Sequence, residues 1–168
     1  IGSNSDLVLE NTITHNLEWT IERFAESGKG RLTFPTKFAS VAPLLPLHHG
    51  GKVIFRMSVN PDKIIRQIEL GTSPLNKRME ALNQMCEAGY PCGILIAPVI
   101  FLPGWQDMYS QLITVLSEKL SEKVKKTAFI EIIFMSYSFV HRKINEEAFP
   151  DAPDLYDKEK MQVRGRGK

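Results

Sequence analysis

At 168 residues, with 43% hydrophobic and 24% charged side chains, the chain has the composition of one globular domain and is long enough to bury a real core. Its net charge of +2 supplies no general basic field for nucleic acid, and no apolar run approaches the ~20 residues of a membrane span. No basic, apolar, small-residue signal pattern marks the N-terminus, so a cytoplasmic protein is expected. Cys86 and Cys92 do not make a metal site by number or spacing and are read as packing thiols of a reducing compartment.

Taken in chain order, residues 1–9 (IGSNSDLVL) have no cap before their polar SNSD cluster and read as the end of a strand that begins outside the chain. Leu17, Ile21 and Phe24 recur at helical spacing and predict a helix over 14–26, stopped by Gly28 and Gly30. A strand over 31–37 ends in Thr36 and Lys37. Val41, Leu44, Leu45 and Leu47 then form a short apolar stripe that Pro43 and Pro46 keep from growing into a long helix. His48, His49, Gly50 and Gly51 turn the chain into the central strand, 53–60 (VIFRMSVN). Neighbouring histidines in a strand face opposite ways and no third ligand is evident, so no metal is expected there.

Pro61 and Asp62 open a helix over 62–68, where the helix dipole favours the acid. Residues 70–74 turn the chain, and Ser73 is read as the N-cap of a helix over 75–88 that Gly89 closes. A strand over 92–98 precedes a loop bounded by Pro98 and Pro103, and an amphipathic helix spans 105–119. A charged surface segment, 118–126, leads to the last strand, 129–135, and then to a helix over 140–149. Beyond Pro150 the composition turns polar and basic, which predicts an extended tail over 151–168 behind a domain of residues 1–150.

Four nearly continuous apolar runs separated by helix-length segments predict an α/β fold of parallel strands covered by helices, because strands buried on both faces lose polar alternation. Right-handed crossovers lay such strands side by side, and function belongs at their C-terminal ends. No Gly-rich phosphate fingerprint follows any strand. A split barrel lacking its first strands therefore fits better than a complete doubly wound sheet, although topology alone leaves both open.

The segments Thr36-Lys37-Phe38-x-x-Val41-x-x-Leu44-Leu45, His48 to Lys52, Phe55-Arg56-Met57-Ser58-Val59-Asn60, Glu69-x-Gly71-Thr72-Ser73, Arg78-x-x-Ala81, Ala88-Gly89-Tyr90 and Ile96-Ala97-Pro98 resemble, in register, the spore photoproduct lyase family of the radical S-adenosylmethionine superfamily. The resemblance covers nearly the whole chain, down to a terminal Gly-Arg-Gly-Lys. It implies the last strands and helices of a partial (β/α)6 TIM-like barrel. It also implies a DNA repair lyase that reverts a methylene-bridged thymine dimer to two thymines. In that family a [4Fe-4S] cluster cleaves S-adenosylmethionine and the 5′-deoxyadenosyl radical abstracts hydrogen from the lesion.

By this resemblance Ser5, Lys37, Ser58 and Ala97 approach S-adenosylmethionine, with Asn60 in support. Lys37 falls near the methionine carboxylate, a role suited to a point cation; from the residues alone it is a solvated strand-end lysine. The three-cysteine cluster motif is absent and belongs to a missing N-terminal half, so the chain alone is expected to hold no cluster and to be inactive. Ser3 stands where the family usually has the cysteine that returns a hydrogen atom to the product, and an O–H bond is too strong to do so readily. The implied partners are UV-damaged DNA and the missing half. His141 and Arg142 near the last strand, with Arg164, Arg166 and Lys168 in the Gly-interleaved tail, are the candidates for DNA contact. Tyr137 and Phe139 either stack on a base or cap the core. Two alternatives stay open at this point: an enzyme of the same fold with another substrate, and a noncatalytic α/β binding module.

Overall fold

The computed structural model describes residues 5–156 together with Glu159 and Met161. Seven helices and four strands follow one another as α1 (Leu7–Thr14), α2 (Asn16–Glu26), β1 (Leu32–Thr36), β2 (Val53–Val59), α3 (Asp62–Gln67), α4 (Leu75–Glu87), β3 (Cys92–Val99), α5 (Trp105–Lys119), α6 (Glu122–Thr127), β4 (Phe129–Phe134) and α7 (Phe139–Ala148), with a 3-10 turn at Ala42–Leu44. The strands form one parallel sheet in the order β1-β2-β3-β4, as the crossover argument predicts.

Register assigns each strand residue to a face. Phe34, Phe55 and Cys92 share a row on the helix-covered face, and Thr36, Met57 and Ile94 share the next. Phe34, Phe55 and Met57 are fully buried, and the Phe34 and Phe55 rings meet edge to face at 5.8 Å. Pro35, Arg56 and Gly93 share a row on the opposite face, and Ser58, Leu95 and Glu131 share another. There Arg56 reaches across β3 to Glu131 (3.2 Å), while Gly93 leaves room for the Phe129 ring, which a Cβ at that position would meet at 2.4 Å.

Several local expectations are corrected. Leu7–Leu9 is not a strand end but the first turn of α1, because the Asp6 carboxylate accepts from the amides of Val8 (3.0 Å) and Leu9 (3.3 Å) and caps a helix there. Thr14 belongs to α1, and the chain breaks at His15, whose φ of 55° is left-handed. The break is stabilised by buried Asn11, whose side-chain oxygen accepts from the amides of Leu17 (3.0 Å) and Glu18 (3.2 Å) and so satisfies the first turn of α2. Ser73 does not cap α4; Pro74 holds that position, and the Ser73 hydroxyl accepts from the amide of Ala39 instead. The charged stretch 118–126 is the end of α5 followed by α6, with Ser121 as its cap.

The largest departure is β4. Its apolar run suggested burial on both faces, yet Phe129, Ile130, Ile132, Ile133 and Phe134 are each at least 43% exposed, because β4 is a sheet edge over which the described helices do not fold. No helix among the described residues is long and apolar enough to cross a membrane.

Candidate functional site

The C-terminal ends of β1, β2 and β3 lie next to one another, so the residues they deliver meet whatever their distance in sequence. Lys37 follows β1 directly. Its ammonium donates to the Ser58 hydroxyl (3.1 Å), the Ala97 carbonyl (3.1 Å) and Glu69 Oε1 (2.8 Å), using all three of its N–H groups. Ser58 also donates to the Ala97 carbonyl (3.2 Å). Lys37, Ser58 and Ala97 join Ser5, Asp6 and Thr36 around a cavity of about 390 Å³, with Pro35, Phe38 and Leu95 as its apolar wall. That volume lies within the ~300–1,000 Å³ of small-molecule sites.

Asn60 is fully buried and lies behind this cavity rather than on it. Its amide donates to Glu69 Oε1 (2.8 Å), and its oxygen accepts from the Tyr109 hydroxyl (2.9 Å), which itself accepts from the Ile100 amide (2.9 Å). Glu69 ties these groups together. Its second oxygen pairs with the Arg78 guanidinium at 2.7 Å, and Arg78, fully buried, donates further to Ser73 O (2.7 Å), Ser58 O (3.0 Å) and Thr72 Oγ1 (2.7 Å). Lys37 and Arg78 thus share the Glu69 carboxylate, and of the three only Lys37 reaches the cavity, where Asp6 is the one carboxylate among the lining residues.

Asp6 is committed elsewhere. Besides capping α1, it accepts from the Thr36 hydroxyl (2.8 Å) and the Lys37 amide (2.8 Å), which fastens the segment carrying Ser5 to the end of β1. Sequence reasoning gave no site role to Asp6, Glu69, Arg78 or Tyr109, although Glu69 and Arg78 stand in segments that carry the family resemblance. The signal for Arg78 was present: Leu75, Arg78, Met79 and Leu82 form the buried stripe of α4, and a charge on that stripe requires a buried partner.

Burial pushes the Glu69 carboxyl up, but the charge and hydrogen bond of Lys37, the charge of Arg78 and the hydrogen bond of Asn60 outweigh it and hold it below the ordinary carboxylate range. In the unfolded chain Glu69 takes up its proton near the ordinary value of ~4.3. Between that value and the lowered one the unfolded chain binds more protons, so this contribution is complete above the ordinary value and is lost as pH falls through the folded one. Urea midpoints measured from about pH 6 to about pH 3 should therefore fall on acidification, and less steeply in a Glu69→Gln chain.

Among the described residues no group of three or more His, Cys, Asp or Glu side chains is arranged to hold a metal. Burial, then Cys86, pushes the Cys92 thiol up to about 12, so Cys92 offers no ready thiolate for a cluster, and Cys86 is buried beside it. His49 stacks on Tyr90 (3.8 Å), with its ring nitrogens engaged by Ala88 O and the Gly51 amide. The cavity itself suits S-adenosylmethionine in kind, with a cation for a carboxylate and the Ser5 and Ser58 hydroxyls for polar edges.

Of the DNA candidates, His141 is exposed on α7, and Arg142 pairs with Glu146 (2.9 Å) and Asp154 (3.0 Å). A hydrogen bond to Tyr137, then Asp154 and Glu146, raises the Arg142 guanidinium further. Tyr137 is buried and Phe139 is 66% exposed, which leaves only Phe139 with an open ring face. Ser3, Arg164, Arg166 and Lys168 lie outside the described residues.

The family model described as spore photoproduct lyase matches residues 2–168. The chain belongs to the spore photoproduct lyase family. It is 37% identical over 160 residues to the spore photoproduct lyase of Bacillus subtilis (strain 168) and 31% identical over 160 residues to that of Geobacillus sp. (strain Y412MC61), covering 95% of this chain and 47% of each relative. A solved structure of a doubly substituted spore photoproduct lyase with bound AdoMet and dinucleoside spore photoproduct superposes with a TM-score of 0.88 at 31% identity, over 95% of this chain and 47% of that one. A second, of the enzyme complexed with dinucleoside spore photoproduct, superposes with a TM-score of 0.80 at 30% identity over 89% of this chain and 44% of that one. The chain thus spans about half the length of the curated relatives it matches. The α/β expectation holds, and the sheet is part of the radical S-adenosylmethionine barrel of this family.

Proposed function

We propose that this chain forms the C-terminal half of a DNA repair lyase that reverts the spore photoproduct to two thymines, with S-adenosylmethionine received at the ends of β1, β2 and β3. The observation that carries the reading is the convergence of Ser5, Lys37, Ser58 and Ala97, from four separate segments, on one cavity. A relative of the same fold has been solved with AdoMet and the dinucleoside lesion bound.

In this reading Lys37 takes the ligand carboxylate, Ser5 and Ser58 meet its polar edges, and Ala97 leaves space for close approach of the backbone. The bound cofactor supplies the hydrogen-abstracting radical. The [4Fe-4S] cluster is held by residues outside this chain, whose own buried cysteines do not suit it. The remaining strands of the barrel pair with an open sheet edge. Arg164, Arg166 and Lys168 contact phosphates, joined by His141 and by Arg142 once a phosphate displaces Glu146 or Asp154.

Ser3 favours a second reading, an enzyme of the same fold with another substrate or another way of finishing the reaction. Reconstituted full-length enzyme given DNA that contains the thymine dimer separates the two. Thymine release, followed by chromatography, is expected; no release above background favours the second reading.

A further inference from the structure

Lys37 is a flexible side chain, 31% exposed, yet its ammonium meets three partners at once. Of its three partners, the Ser58 hydroxyl and the Ala97 carbonyl are neutral and belong to the strands themselves. The third, Glu69, is charged, has a side chain only 6% exposed, and comes from the turn after α3, outside the sheet. Glu69 is held in turn by Arg78, which is fully buried, and by Asn60, which Tyr109 fixes from α5. Helices α4 and α5 and the turn after α3 thus share in locating one ammonium at the cavity.

We propose that Glu69 is the positioning residue of this site: it fixes Lys37 across the ends of β1, β2 and β3 so that the cation is preorganised for the carboxylate of S-adenosylmethionine. The inference rests on the reading that Lys37 receives that carboxylate. Two physical effects carry it. A lysine side chain has rotamer freedom to lose on binding, and an ion pair made before the ligand arrives removes most of that cost. Glu69 also separates Lys37 from Arg78, and without the carboxylate the two cations face each other uncompensated. Arg78 already balances Glu69, and the Asp6 carboxylate on the cavity wall is engaged by the Thr36 hydroxyl and the Lys37 amide, which leaves the Lys37 ammonium as the cation that faces the ligand. Glu69 itself is not among the residues that line the cavity, so its effect on the ligand runs through Lys37.

The test uses the full-length protein and two probes, S-adenosylmethionine and 5′-methylthioadenosine, which lacks the amino-acid carboxylate. Calorimetry of Glu69→Gln should show S-adenosylmethionine binding weakened about tenfold, the factor that roughly 1.4 kcal/mol corresponds to. Binding of 5′-methylthioadenosine should be unchanged, and the effect should vanish in a Lys37→Ala background. Glu69→Asp, which keeps the charge, should recover part of the loss. Unchanged or tighter S-adenosylmethionine binding, an equal loss for both probes, or a full loss that persists without Lys37 would overturn the proposal.

If Lys37→Ala alone leaves S-adenosylmethionine affinity intact, the assignment of the cavity falls as well; if Lys37→Ala weakens binding and Glu69→Gln does not, only the role of Glu69 falls. Should Glu69→Gln fail to fold, a structure of the unmutated full-length protein with S-adenosylmethionine decides. Lys37 still paired with Glu69 while contacting the carboxylate supports positioning, and a separated pair refutes it.

Discussion

Arg78→Ala is expected to cost the folded chain about 3–5 kcal/mol, the usual penalty when one partner of a buried ion pair is removed. Arg78 is fully buried on the core side of α4 and its guanidinium serves four groups: Glu69, Thr72, and the carbonyls of Ser58 and Ser73. Truncation strips hydrogen bonds from two carbonyls, one at the end of β2 and one just before α4, and leaves Glu69 with Lys37 as its sole countercharge. It also opens a void between α4 and the sheet. The check is a shift in urea midpoint with an unchanged m-value. Arg78→Met separates the two causes, since it keeps an apolar stem of comparable length. A methionine variant as stable as the unmutated chain would show that the stem, not the charge, sustains the fold.

How far the sequence reveals this arrangement depends on the range of the interactions concerned. Strand β3 is legible because burial over most of its length writes itself as an apolar run, β1 and β2 because apolar residues recur at every second position with mostly half-buried ones between, and α5 because of its amphipathic stripe. The same logic misjudges β4. Composition records what a strand is suited to pack against, not how much of that packing the described helices supply. The break at His15 is hidden for another reason: it depends on Asn11 reaching six residues ahead to the amide of Leu17, a tertiary contact that no helical periodicity encodes.

The site divides in the same way. Lys37, Ser58 and Ala97 stand at strand ends, where parallel topology brings side chains together, so their meeting follows from the fold class once it is known. Glu69 lies in a turn, inside a segment that carries the family resemblance, but neither periodicity nor capping there distinguishes it from a solvated acid. Its partner Arg78 was the readable half, a charge within the stripe Leu75, Met79 and Leu82. Asp6 was visible in the SNSD cluster, but its four hydrogen bonds, two to its own helix and two to the end of β1, emerge only when α1 is seen packed there.

Lys37→Ala in the full-length protein is expected to weaken S-adenosylmethionine binding by about 1.5–3 kcal/mol, the worth of a hydrogen bond to a charged group, or roughly tenfold to a hundredfold in affinity. Folding should change far less than in the Arg78 variant, because Glu69 keeps Arg78 and Asn60 when Lys37 is removed, and Ser58 still donates to the Ala97 carbonyl. The two substitutions therefore pull apart the roles of two cations that share one carboxylate: one sets the stability of the fold and the other reads the ligand. Calorimetry for affinity and a denaturant titration for stability report the two separately. A lysine that was merely solvated at the end of β1 would move neither, and a lysine that served only the fold would move the second alone. A loss of affinity at nearly constant stability is the outcome that its position demands, with its ammonium on the cavity and its carboxylate partner behind it.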